Sequence, residues 1–268
     1  DSSIMQSVID KTYTCNGNSR KIFINHFGRK EDEVETVYIG VDEKKFDPDL
    51  YSKEEILKKN EIDPKGKFII SFICRIADQK RPYLFVEVIK ELSKKRNDFI
   101  VVVAGDGPFL PEMKSKIKKY GLSDKFIYLG NVKETVNVYK ISDLTVNTSI
   151  KEGLALTAYE SLSMGVPVVS ADVGGQKELI NDKVGVIVPC MQKETQIWDY
   201  NYKKEEVMNY VKGIDKVLNN ITEYKNNCRD RILNGFTIDN MVTKMDEEFT
   251  KIMKNANKEK IENGYGLQ

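Results

Sequence analysis

From residue 67 the chain alternates short apolar runs with amphipathic stretches. The runs at 68–74, 99–104, 126–129, 144–147, 166–170 and 184–188 are near-continuous in Ile, Val, Phe and Leu and have strand length. Between them, residues 82–95, 111–120, 135–141, 154–164 and 176–180 read as helices, the first with Leu84, Phe85, Val88, Ile89 and Leu92 on one face. Strands apolar on both faces have to be covered on both sides. The pattern therefore predicts an α/β fold built on a doubly wound parallel sheet. After Pro189 the alternation stops. Residues 191–202 form a polar loop bearing Trp198 and Tyr200, and a helical tail follows over 203–218, 221–233 and 238–253. The charged residues 255–268 are expected to fray. Ahead of the sheet, residues 34–39 read as a short strand, Gly40-Val41-Asp42 as a turn and 43–49 as a connector. Ser52 with Glu55 reads as the start of a helix ending near Asn60. Residues 1–33 show no clear period.

The length of 268 residues and a 40% hydrophobic fraction allow one large or two small domains with a sizeable core. Forty-two basic against 41 acidic residues give a net charge of +1, so nothing calls for nucleic acid as a partner. Cys15, Cys74, Cys190 and Cys228 are far apart, without zinc spacing, which fits a reducing compartment. Cys74, at a strand end, reads as a small buried hydrophobe. No apolar run is long enough to cross a membrane, so a cytoplasmic location is expected, with peripheral contact at the inner membrane face as an option. The chain begins at Asp1 without Met and is expected to be a piece of a longer protein.

In an open parallel sheet, ligands sit beyond the carboxyl ends of the strands, which directs attention to the polar residues there. Arg75 follows the first strand and Lys80 comes five residues later. The pair could clamp a diphosphate or form an ordinary basic turn. Gly105-Asp106-Gly107-Pro108 follows the second strand as a binding loop or a plain turn. Gly130-Asn131-Val132 follows the third, where a backbone free of side chains could meet a flat base. The richest stretch is Ser149 to Gly175, with Glu152 in a Gly-containing loop and Glu160 inside the next helix. A helix start offers amides and positive potential to phosphates, and carboxylates can grip sugar hydroxyls. Together these features suggest a nucleotide-sugar site. Glu178 reads as a first-turn helix charge, and His26, the sole histidine, as a surface residue.

Arg75 with Lys80, Gly105-Asp106-Gly107-Pro108, residues 126–130, and above all Ser149-x-x-Glu152-Gly153 with Glu160 and Gly174-Gly175 resemble the retaining glycosyltransferases of family four, across residues 34–189. The resemblance implies the GT-B fold, two Rossmann-like domains facing across a cleft, and places this chain in the carboxyl-terminal, donor-binding half. It implies that Arg75 and Lys80 hold the donor diphosphate and act in catalysis with Glu152. It further implies that Gly153, Leu154 and Ala155 hold the transferred sugar, that Glu160 binds the ribose, that Asn131 and Val132 lie at the base, and that the loop of Gly107 adjoins the donor. The donor would be UDP- or GDP-linked, with no metal and no further cofactor. Cys74 and Ile39 depart from the family, which often has Gly and Asn there.

The expected organisation is the end of an acceptor domain and a hinge at 1–42, the donor domain at 43–236, and a crossing helix with its tail at 237–268. The acceptor, whether saccharide, lipid-linked or protein, would bind a further amino-terminal domain. The competing reading is a non-catalytic nucleotide-sugar-binding partner of an active transferase. A sugar phosphorylase lacks a nominated pyridoxal lysine, and a flavodoxin-like protein fits poorly with the Glu152/Glu160 pair and the long helical tail.

Overall fold

A computed structural model describes residues 9–262, with side chains to residue 254. Six parallel strands form the central sheet: β3 (Phe68–Ile73), β4 (Phe99–Ala104), β5 (Phe126–Gly130), β6 (Leu144–Asn147), β7 (Val168–Ala171) and β8 (Gly185–Val188). Their order is β5-β4-β3-β6-β7-β8. The order reverses between β3 and β6, so the chain departs in opposite directions there and leaves a crevice at their carboxyl ends. Alternation along β3 serves both faces. Ile70 and Phe72 enter one core and Ile69 and Ile73 the other. Ser71 interrupts this strand because its hydroxyl pairs with Thr145 at 3.0 Å, and Thr145 in turn accepts from Ser161 at 2.8 Å.

The helices cover both faces as the pattern predicts: α3 (Pro82–Ser93), α4 (Leu110–Lys119), α5 (Thr135–Ile141), α6 (Leu156–Ser163), α7 (Gln176–Leu179), α8 (Lys204–Asn219) and α9 (Ile221–Leu233). Ahead of them, α2 (Lys53–Lys59) is capped by Ser52, which accepts from the Glu55 amide. The tail helix α8 lies on α3 and beside β8, filling one face with Val207, Tyr210, Val211 and Ile214. Helix α9 packs on α6 across the other face.

The structure corrects the sequence expectations near both ends of the chain. Residues 1–33 hold β1 (Thr12–Thr14) and α1 (Gly17–Asn25), and β1 pairs in parallel with β2 (Val34–Thr36) as a separate sheet. The expected strand at 34–39 is shorter because Val37 leaves the ladder after its amide bonds Thr14. The last helix, α10 (Ile238–Glu262), continues where 255–262 was expected to fray; residues 263–268 lie outside those described. Helix α10 packs on the small sheet. Tyr13 meets Phe249 edge to face, and Lys244 reaches Glu35. Glu248, nearly buried, sits among Lys251, Lys244 and Lys11, with hydrogen bonding from Lys251 first in lowering its pKa. Gly40 lies so close to Thr237, at the start of α10, that a Cβ there would strike its carbonyl.

Candidate functional site

Loops from four strand ends converge at the crevice. The glycines after β4 answer to packing between loops. A Cβ at Gly105, whose φ is +133°, would run into the Cys74 carbonyl, and one at Gly107 into the Ile76 carbonyl. The Ile76 amide bonds the Asp106 carbonyl at 2.9 Å, so the loops after β3 and β4 travel together. Gly107 is therefore turned toward Ile76. It is Gly105 and Asp106 that join Ile73, Cys74, Arg75, Ala104, Asn131, Val132, Thr135, Thr157 and Glu160 around a cleft of about 540 Å³. Cys74, expected in the core, is half-buried on the cleft wall, and burial pushes its thiol up to about 12.

One carboxylate, Glu160, stands on this rim, and a second, Glu152, adjoins it through Lys80. Glu160, half-buried on α6, accepts from the Tyr139 hydroxyl at 2.9 Å and from the Thr135 hydroxyl at 3.3 Å, both at Oε2. Among the described residues nothing donates to Oε1. Burial raises its pKa, against the lowering effect of these hydroxyls. Its own burial, and then the same carboxylate, push the Tyr139 hydroxyl well above the usual phenol range. Glu152 is held differently, by an ion pair between its Oε1 and Lys80 Nζ at 2.5 Å. Lys80 lines a small adjoining recess with Ile73, Cys74 and Thr157, which also border the main cleft. Arg75 is exposed at the cleft, and no described residue makes an ion pair with it.

Helix α6 starts at Leu156, two residues later than the sequence suggests. Gly153, Leu154 and Ala155 therefore form its entry loop. The Leu154 and Ala155 side chains are buried in the core, while the amides of residues 153–155 find no acceptor among the described residues. Such amides, at the start of a helix with no side-chain cap, present donors and positive potential to an anion. The loop is fixed from behind. Gly174, at φ +57°, packs against the Glu152 carbonyl, where a Cβ has no room, and the Gly175 amide bonds the Gly153 carbonyl at 2.9 Å. Asn16 Nδ2 also donates to Gly153, at 3.1 Å.

The candidates thus fall into two groups and a remainder. Arg75, Asn131, Val132 and Glu160 share the cleft, Lys80 and Glu152 form its neighbouring corner, and Gly107 lies behind it. The sequence reading missed Thr157, Thr135 and Tyr139. Thr157 sits three residues before Glu160 on one helix face, and Thr135 and Tyr139 four apart on another, spacings that could have signalled them. Glu178 is taken up by the chain's own donors. Its two oxygens accept the Gly17 amide at 2.9 and 3.0 Å and the Tyr38 hydroxyl at 2.8 Å, so it caps α1 in place of serving its own helix. His26 is exposed beside Phe27. A second hollow, about 470 Å³, is walled mainly by α2 and α5 and shares Val132 with the cleft.

Comparison with known proteins bears on this arrangement. The chain is 36% identical over 157 residues to the lipopolysaccharide core biosynthesis mannosyltransferase LpsB of Rhizobium meliloti, covering 56% of this chain and 44% of that protein. It is 26% identical over 237 residues to the UDP-Gal:alpha-D-GlcNAc-diphosphoundecaprenol alpha-1,3-galactosyltransferase of Escherichia coli, covering 83% and 55%. The chain spans about half the length of these curated relatives. Among solved structures, a glycosyltransferase from Rickettsia africae superposes with a TM-score of 0.78 at 21% identity, over 94% of this chain and 67% of that one. The C-terminal domain of a group 1 glycosyl transferase from Francisella tularensis superposes at 0.60 with 25% identity, over 74% of this chain and 100% of that one. These neighbours carry the GT-B glycosyltransferase fold. No helix among the described residues is long and apolar enough to cross a membrane. The family described as "Glycosyl transferases group 1" matches residues 52–235, more than half the chain and all of its central sheet, and the protein belongs to that family.

Proposed function

We propose that this chain supplies the donor-binding half of a retaining glycosyltransferase that takes its sugar from a UDP- or GDP-linked donor. The observation that carries the reading is the crevice wall that holds Arg75 and Glu160, with Lys80 in the adjoining recess paired to Glu152 and the bare amides of residues 153–155 next in the chain. A nucleoside diphosphate sugar has complementary chemistry at matching points. Its diphosphate meets Arg75, Lys80 and the start of α6. A ribose hydroxyl donates to Glu160 Oε1, and the base lies along Asn131 and Val132. The sugar hydroxyls meet Glu152 once the diphosphate draws Lys80 away. An Anabaena protein of the same fold is solved in complex with UDP, which supports this assignment.

In the reaction the bond between the anomeric carbon and the diphosphate oxygen breaks, and negative charge grows on the departing diphosphate. Cations and amides fixed in place beforehand stabilise that charge without reorganising, which is where electrostatic catalysis has its effect. Glu152 orients the sugar, and the acceptor oxygen bonds the anomeric carbon on the face the diphosphate leaves, its proton passing to the departing diphosphate oxygen, so the anomeric configuration is retained. Residues 43–236 form the donor domain in this reading. Residues 1–42 and 237–268 belong to a second lobe that receives a saccharide, lipid-linked or protein acceptor. The exposed apolar residues of α10, among them Val242, Phe249 and Met253, are suited to being covered by such a lobe.

Calorimetric titration with UDP and GDP tests the reading directly. Saturable binding of one of them, weakened in Arg75→Ala, is expected. The absence of binding by either nucleotide overturns the proposal.

A further inference from the structure

We propose that Arg81 is a positioning residue for the diphosphate site, tying the loop that carries Lys80 to the loop that carries Glu152. The inference rests on the donor-site reading above and goes beyond it, because Arg81 itself does not line the cleft.

Arg81 is 1% exposed, and its backbone is left-handed at φ 46°, ψ 56°. A bulky residue adopts that conformation only where its surroundings enforce it, and such residues gather at functional sites. The side chain's contacts identify what it does. Nε donates to the Thr148 carbonyl at 2.5 Å and Nη2 to the Ser149 carbonyl at 3.4 Å. Nη1 pairs at 2.8 Å with Glu206 of the tail helix α8, itself 1% exposed. The loop partners answer in kind. The Thr148 hydroxyl donates to the Lys80 carbonyl at 2.7 Å, the Ile150 amide to the Gln79 carbonyl at 2.9 Å, and Gln79 Nε2 to the Lys151 carbonyl at 2.9 Å. This run of bonds joins residues 79–81 to 148–151 and ends at the Lys80–Glu152 pair. On the far side, the Tyr210 hydroxyl of α8 holds the Asn147 carbonyl at 3.0 Å.

A buried ion pair of this kind is a poor device for stability, since apolar residues of similar volume often serve the core as well. Its particular yield here is geometric. Arg81 satisfies two carbonyls at the exit of β6 and thereby fixes the Cα of Lys80 and the approach to Glu152. Without it Lys80 keeps its charge but loses its place, so the loss should fall on ligands that present a second phosphate.

The test compares UDP with UMP, or GDP with GMP if the wild type prefers guanine, by calorimetry on the full chain. The double variant Arg81→Met/Glu206→Leu replaces the buried pair by apolar side chains and is expected to fold but to melt below the wild type, since the Thr148 and Ser149 carbonyls lose a donor. Its diphosphate affinity is expected to fall about tenfold or more, the scale on which misplacement of a binding group acts, with monophosphate affinity unchanged. In a Lys80→Ala background the same two substitutions should cause no further loss, because Arg81 acts through Lys80. Full diphosphate affinity in the folded double variant, an equal loss for the monophosphate, or an additive loss on Lys80→Ala overturns the proposal. If the double variant does not fold, Arg81→Lys decides. It keeps a charge opposite Glu206 but has no fork to reach both carbonyls, so it should show the same selective loss, and unchanged selectivity overturns the proposal. A wild type that binds neither diphosphate overturns the donor-site reading, and this proposal falls with it; a selective failure among the variants overturns this proposal alone.

Discussion

The two carboxylates at the crevice sit in opposite environments. Glu152 is charge-compensated by Lys80, whereas Glu160 is held by two neutral hydroxyls, with burial raising its pKa. The first has a partner that an incoming anion must compete for. The second makes no ion pair among the described residues, Lys45 acting on it only through space, and its remaining oxygen suits a hydroxyl donor. The difference means that one corner exchanges partners on binding, while the other gains a partner it lacked. Substitutions at either corner can remove one side of that contrast.

The largest effect is expected from Lys80→Ala. It deletes a charge-assisted contact to the diphosphate, worth about 2–3 kcal/mol, so UDP or GDP affinity should fall roughly 30- to 150-fold by calorimetry. It also strips Glu152 of its partner. If affinity is kept, the exchange of partners at this corner is wrong and Arg75 must carry the phosphates alone. Gly174→Ala attacks the same corner from behind. A Cβ there meets the Glu152 carbonyl at a left-handed φ, and a loss of about 2 kcal/mol or more in unfolding free energy is expected by denaturant titration. A wild-type midpoint would show that the Glu152 loop can retreat without cost.

Glu160→Gln sharpens the other half of the contrast, with an affinity loss of about tenfold expected, as for one hydrogen bond to a charged group. The pH dependence has a defined sign. Because the folded carboxyl titrates above its ordinary value, the stability linked to it is present below the ordinary carboxylate range and declines as pH rises through the raised value. Thermal unfolding followed against pH should therefore show the wild type losing ground to Glu160→Gln over that interval. Nucleotide affinity should run the opposite way, rising as the carboxylate ionises, with the substituted protein flat after correction for the ligand's own titration. Parallel pH profiles for the two proteins would remove Glu160 from the ribose. Tyr139→Phe is a smaller version of the same test. Losing one hydroxyl donor costs about 1 kcal/mol and should move the Glu160 titration further upward, readable by NMR of a 13C-labelled carboxyl. An unmoved titration would show that burial alone sets it.

How much of this was open to sequence reasoning depended on the range of the interactions. The bounds of β4, α5 and β6 coincide with the expected ones because each is an apolar run between clear breaks, and those of α9 because Asn219-Asn220 and Asn234-Gly235 bracket it. Helix α1 escaped notice because none of its residues is fully buried, so no apolar stripe marks it; the local sign was Asn16, which caps it by accepting from the Ser19 amide at 2.7 Å. The apolar pair Leu154-Ala155 extended the expected α6 by two residues, although contacts from Gly175 and Asn16, both distant in sequence, hold Gly153 and the entry loop out of the helix. The motif residues Arg75, Lys80, Glu152 and Glu160 could be named because they fall at strand exits, and the exits follow from the pattern. Arg81 could not, since its partner Glu206 stands 125 residues away on a helix that reads as ordinary tail. A charge next to Lys80 carries no sign of burial until the fold brings α8 across α3.

The smallest effect bears on whether the contrast is local at all. Lys151 precedes Glu152 and pairs with Glu194 at 2.8 Å on the surface, where the pair holds its pKa up through hydrogen bonding. Both side chains are exposed, and ion pairs of this kind contribute little because water and salt screen them. Only the Lys151 carbonyl, which accepts from Gln79, belongs to the network behind the rim, and a substitution leaves that carbonyl in place. Lys151→Ala should therefore leave the melting temperature and nucleotide affinity of the protein unchanged at moderate salt. It removes the same formal charge as Lys80→Ala, at a residue adjoining Glu152. A comparable loss of affinity would mean that general positive potential, and not the placement of Lys80 against Glu152, draws the diphosphate in. An unchanged affinity leaves position as the property that separates the two lysines.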